Sequence, residues 1–103
     1  MIPKVVTALP VFNEAHHVSP VLDEVLKYCD DVVVIDDGSS DETPQRLVER
    51  SDIQTVTHPV NRGYGAALIS AFEYALDHQY EVLVTIDCDG QQEPKRIPEF
   101  VAT

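Results

Sequence analysis

Apolar residues gather along this chain in short continuous runs, separated by stretches in which they recur every three or four positions. Residues 4–9, 31–35 and 81–86 are β-branched and nearly continuously apolar, the pattern of strands covered on both faces, so they predict parallel pairing. Residues 53–58 alternate apolar with polar side chains, as an edge strand does.

Helical spacing fills the gaps. The first helix is predicted to start at Ser19-Pro20, with serine as cap and proline in the first turn, and to bury Val21, Leu22, Val25 and Leu26. A second is predicted from Thr43-Pro44 by the same logic, anchored by Leu47 and Val48. In the third, Leu68, Ala71, Phe72, Ala75 and Leu76 follow the spacing of an amphipathic helix, with Glu73 and Asp77 outward. A fourth is expected from Glu93-Pro94, with Ile97, Phe100 and Val101 inward.

Strands alternating with helices predict an α/β fold: a Rossmann-like parallel sheet with right-handed crossovers that place helices on both faces. No repeat or Gly/Ser linker interrupts residues 1–103, so a single domain unit is expected. In such sheets ligands bind beyond the carboxyl ends of the strands, above all where the strand order reverses.

Composition narrows the partners. There are 18 acidic and 7 basic residues, a net charge of −11, and binding to a nucleic-acid backbone needs clustered Lys and Arg. Nucleic acid is therefore excluded as the expected partner. No run approaches the roughly 20 apolar residues that span a bilayer. Two cysteines, Cys29 and Cys88, make no disulfide framework or paired-Cys zinc pattern, and a cytoplasmic setting is expected.

The segments following the strands carry the chemistry. Pro10-Val11-Phe12-Asn13-Glu14 follows the first, Asp36-Asp37-Gly38-Ser39 the second, and Asp87-Cys88-Asp89-Gly90-Gln91 the last. Parallel pairing would bring Glu14, Asp36, Asp37, Asp87 and Asp89 to one edge of the sheet. Two unit charges about 4 Å apart repel by about 4 kcal/mol at an effective dielectric of 20, so such a group favours a cation or raised pKa values. Mg2+ or Mn2+ suits hard oxygen donors and leaves positions for phosphate. Asp87 and Asp89, two residues apart, can point the same way, with the Gln91 amide oxygen as third ligand.

Residues 61–68, Asn-Arg-Gly-Tyr-Gly-Ala-Ala-Leu, look like a glycine-rich phosphate loop at a helix start, but lack the Lys-Ser/Thr ending and the third dinucleotide-fold glycine. Two readings stay open: a flexible approach to the third helix, or Arg62 and backbone amides facing an anion. His16, His17, His58 and His78 are all expected at the surface.

Four segments, residues 7–14, 34–43, 61–67 and 87–94, resemble in order and spacing the family 2 glycosyltransferases. The likeness is greatest to those acting on polyprenyl phosphates, such as dolichyl-phosphate mannose synthases. The resemblance implies the N-terminal, nucleotide-sugar half of a GT-A fold. It implies that Pro10, Phe12 and Glu14 line the nucleoside pocket, that Asp36 and Asp37 contact base or ribose, and that Arg62 belongs to the nucleotide site. Asp87, Asp89 and Gln91 would hold Mg2+ or Mn2+ on the diphosphate. Phe12 stands where the family more usually has tyrosine, which removes a hydroxyl.

The resemblance further implies an inverting transfer from a UDP- or GDP-linked sugar to an acceptor such as a polyprenyl phosphate, at the cytoplasmic face of the membrane for the full-length protein. The general base is expected beyond residue 103, which makes the chain a truncated, inactive piece with no catalytic residue of its own. Other readings stand beside it. Residues 84–90 also fit the nucleophile strand of a haloacid dehalogenase-type phosphotransferase, and the segment could be a non-catalytic nucleotide-binding piece or a homodimer paired through a sheet edge.

Overall fold

The computed structural model describes residues 3–87 and 99–101. Four parallel strands, β1 (Val5–Val11), β2 (Val32–Asp37), β3 (Gln54–His58) and β4 (Val82–Thr85), alternate with helices α1 (Val18–Val25), α2 (Thr43–Val48) and α3 (Tyr64–Asp77). The sheet order is β3-β2-β1-β4-β5, with β5 (Glu99–Val101) antiparallel to β4. The chain moves outward from β1 to β3, then returns across the sheet to add β4 on the other side of β1. Strand order therefore reverses between β1 and β4.

Two apolar layers hold the helices to the sheet. Leu9, Val11, Val32 and Val34 pack with Val18, Leu22 and Val25 of α1 and Leu47 of α2. Val6, Ala8, Val33, Ile35 and Leu83 face Ala67, Ala71 and Ala75 of α3 on the opposite side. The near-continuous β-branched runs are explained by this double covering.

Several boundaries differ from the sequence expectation. The Glu14 carbonyl accepts the N–H groups of His17 and Val18, so a turn runs straight into α1 and Ser19-Pro20 fall inside its first turn, where a missing proline N–H is harmless. At α2 the cap is the Asp41 carboxylate, which accepts the N–H of Thr43, and Thr43 itself is buried in the first turn. On α3, Phe72 and Leu76 are exposed, and Ala67, Ala71 and Ala75 face the sheet. A small-residue face lets the helix lie close to a β-branched surface. The fourth helix is also corrected: Phe100 and Val101 belong to β5, paired in register with Leu83 and Val82. The rest of that expected helix lies outside the described residues.

Candidate functional site

Side-chain alternation decides which rim residues can meet. On β2, Val33 and Ile35 lie under α3, whereas Val32 and Val34 lie under α1 and α2. A period of two then sends Asp37 to the α3 side and Asp36 to the other. The same parity carries Pro10 and Phe12 to the α3 side in step with Val6 and Ala8, and Asp87 in step with Leu83. A cleft of about 220 Å³ opens there, bordered by Pro10, Phe12, Asp37, Asn61, Gly63 and Tyr64. It stands at the carboxyl ends of the strands, on the β1 side of the reversal in strand order.

Asp37 organises one wall. It is 4% exposed, and its Oδ1 accepts from the Arg62 N–H at 2.9 Å and from His58 Nδ1 at 2.8 Å. Its Oδ2 accepts from the Gly63 N–H at 2.9 Å and Asn61 Nδ2 at 3.2 Å. Burial works to raise the Asp37 pKa, but the His58 bond and the two backbone N–H groups outweigh it and hold the carboxyl below the ordinary carboxylate value. The carboxylate thus fixes the segment that leads into α3.

Gly38 makes the approach of that segment feasible. Its φ is +73°, and a Cβ there would lie 2.3 Å from the Asn61 backbone nitrogen and 2.4 Å from the Val60 carbonyl carbon. Only glycine fits both constraints.

A second knot joins the loops after β1 and β2. Asn13, at φ +52°, a region asparagine tolerates, accepts through Oδ1 from the N–H groups of Ser40 and Asp41. The Asn13 N–H donates to Ser39 Oγ and that of Glu14 to Thr43 Oγ1. Asp36, 1% exposed, accepts the Ser39 N–H and closes the turn after β2.

The expected site residues divide accordingly. Pro10, Phe12 and Asp37 border the cleft, and Arg62 is exposed between the bordering Asn61 and Gly63. Asp36 faces the α1 and α2 layer, and the Glu14 carboxylate pairs with His17 at 3.0 Å. Asp87 is exposed at the end of β4 and accepts from the Tyr64 hydroxyl at 3.0 Å. Burial, then that bond, raises the Tyr64 pKa. Asp89 and Gln91 lie outside the described residues. Among the described residues no group of three His, Cys, Asp or Glu side chains is placed to hold a metal ion.

Sequence reasoning missed four participants: His58, Asn61, Tyr64 and Ser70. His58 was expected at the surface but is 4% exposed, because the parallel register sets it opposite Asp37. A larger hollow of about 350 Å³ lies at the amino ends of the strands. Two of its three acids are already engaged, Asp31 by the Tyr80 hydroxyl and Asp52 by Arg50.

The sequence matches the model of the Glycosyl transferase family 2 over residues 7–103. The chain belongs to glycosyltransferase family 2. It is 32% identical over 111 residues to an undecaprenyl-phosphate 4-deoxy-4-formamido-L-arabinose transferase of Proteus mirabilis, covering 97% of this chain and 33% of that protein. It is 30% identical over 104 residues to an undecaprenyl-phosphate mannosyltransferase of Micrococcus luteus, covering 95% and 43% respectively. An uncharacterized protein of Methanocaldococcus jannaschii is 31% identical over 99 residues, 95% of this chain and 40% of the relative. The chain therefore spans less than half the length of these curated relatives. Family 2 membership also removes the phosphotransferase reading of residues 84–90. Among the described residues no helix is long and apolar enough to cross a membrane.

Proposed function

We propose that the cleft on the α3 side binds the nucleotide of a nucleotide-diphosphate sugar, and that the whole enzyme passes the sugar to a polyprenyl phosphate with inversion at the anomeric carbon. The observation that carries this reading is the convergence of Pro10, Phe12, Asp37, Tyr64 and Asp87 on one side of the sheet rim, at the reversal of strand order. Two of the curated relatives are named for transfer to undecaprenyl phosphate.

Phe12, 45% exposed, offers a ring face for a base. The fixed backbone of Asn61 to Gly63 brings Arg62 and the start of α3 to the diphosphate side, where N–H groups and a guanidinium favour anionic oxygens. Asp87, Asp89 and Gln91 supply hard oxygen donors that suit Mg2+ or Mn2+. When bound, such an ion offsets the negative charge that grows on the departing diphosphate. Tyr64 holds the Asp87 carboxylate in place by donating its hydroxyl proton to Oδ1.

Calorimetric titration of UDP, GDP and their sugar conjugates, each with and without manganese, tests the reading. One nucleotide should bind with a manganese-dependent affinity, and Asp89→Ala should remove the manganese dependence. Absence of binding by every nucleotide overturns the proposal.

A further inference from the structure

A chain of three side chains, of which Asp37 and His58 are buried, runs back from the cleft wall. His58 Nδ1 meets Asp37 Oδ1 at 2.8 Å, and His58 Nε2 meets Ser70 Oγ at 2.7 Å. The His58 and Asp37 side chains are only 5% and 6% exposed. The order matches that of an acyl-transfer triad, but neither His58 nor Ser70 borders the cleft. Ser70 also sits well inside α3, where backbone N–H groups are spent on helical bonds and cannot form an oxyanion hole. The chain must act on the Asp37 end.

Resting on the donor-binding reading above, we infer that His58 is a positioning residue: it locks the Asp37 carboxylate in the rotamer that captures the Arg62 and Gly63 N–H groups, and so sets the wall against which the nucleotide docks. The carboxylate can only accept, so Nδ1 must carry the proton. In the neutral ring Nε2 then accepts from the Ser70 hydroxyl, which holds the ring's orientation from α3 while Asp37 fixes the tautomer. Asp37 Oδ1 is shared between His58 and the Arg62 N–H. Loss of the imidazole donor leaves a buried carboxylate one partner short and free to turn away from residue 62. The consequence falls on the cleft, because Gly63, at φ +98°, leads from this anchor directly into Tyr64.

Two amide variants separate the roles. Asn places its amide nitrogen where Nδ1 stands, and Gln reaches the Nε2 position. His58→Asn keeps the donor to Asp37, while His58→Gln keeps a partner for Ser70 and loses that donor. Hydrogen exchange at the Arg62 and Gly63 amides, referenced to β1 amides, should rise about tenfold or more in His58→Gln and stay near wild type in His58→Asn. Nucleotide affinity should fall about tenfold in His58→Gln and recover in His58→Asn. Nitrogen NMR of wild-type protein labelled at histidine should show a protonated Nδ1 and a bare Nε2.

A protonated Nε2 with bare Nδ1 overturns the inference without any variant. So does equal exchange or equal nucleotide affinity in the two variants. If wild type binds no nucleotide, the donor-binding reading fails on its own, and the amide exchange and tautomer still decide whether His58 positions Asp37.

Discussion

At the scale of single residues, the adjacent positions Asp37 and Gly38 carry constraints that substitutions should expose. Asp37 has a pKa held below that of the unfolded chain, where Asp titrates at about 3.9. A depressed carboxylate stabilises the fold fully above the unfolded pKa and loses that contribution as pH falls through the folded value. Acid should therefore weaken the protein below about pH 4, and Asp37→Asn should flatten this part of the pH–stability curve while lowering stability at pH 7 by about 3 kcal/mol, because the donors that converge on the carboxylate lose a charged acceptor. Urea unfolding across pH 3 to 7 reads both effects, and an unchanged acid limb in the variant would remove Asp37 as its source. Gly38→Ala meets backbone atoms at 2.3 and 2.4 Å and a positive φ. It should cost about 3 kcal/mol in the same assay. Gly65→Ala, with no atom within 4 Å of the added methyl, should leave stability unchanged or raise it by about 0.5 kcal/mol.

At the scale of elements, the joint between β1–α1 and β2–α2 depends on Thr43, which is fully buried at the first turn of α2. Its hydroxyl accepts the Glu14 N–H and donates to the Asp41 carboxylate. Thr43→Val keeps the volume but leaves the part-buried Glu14 N–H without its acceptor and takes one of its donors from the Asp41 carboxylate, so stability should drop by about 2 kcal/mol. Exchange of the Glu14 amide should accelerate more than that of β3 amides; equal acceleration would show a global effect only. Sequence periodicity reveals these elements unevenly. β1, β2 and β4 announce themselves through runs such as Val32 to Ile35, and the alternation of residues 53–58 marks the edge strand. The rotation of α3 is not legible, because Ala67, Ala71 and Ala75 form one stripe and Leu68, Phe72 and Leu76 another, one residue apart. Closeness of the sheet chooses the alanines. The burial of His58 and the pairing of β5 follow from register between strands distant in sequence, which local pattern does not carry. The carboxylates after the strands are legible as a group, but only the parity of β2 tells that Asp36 and Asp37 serve opposite faces.

At the scale of the whole molecule, the charge of −11 acts on the fold and on its proposed ligand together. Lys27, Arg46 and Arg50 are each engaged with neighbouring carboxylates, which leaves the acidic excess to repel itself and any phosphate that approaches. Screening shortens the reach of that field from about 30 Å at 0.01 M salt to about 8 Å at 0.15 M. Raising sodium chloride across that range should therefore raise the melting temperature. Binding of a nucleotide in the absence of divalent cations should tighten as well, the reverse of the steep loss with salt that a basic phosphate-binding surface shows. On the proposed reading the dependence should flatten with manganese present, because a bound ion rather than the medium would offset the Asp87 carboxylate. Titrations at several salt concentrations, with and without manganese, measure this directly. A marked weakening with salt in the metal-free series would mean that Arg62 and the N–H groups beside it outweigh the charge of the molecule as a whole.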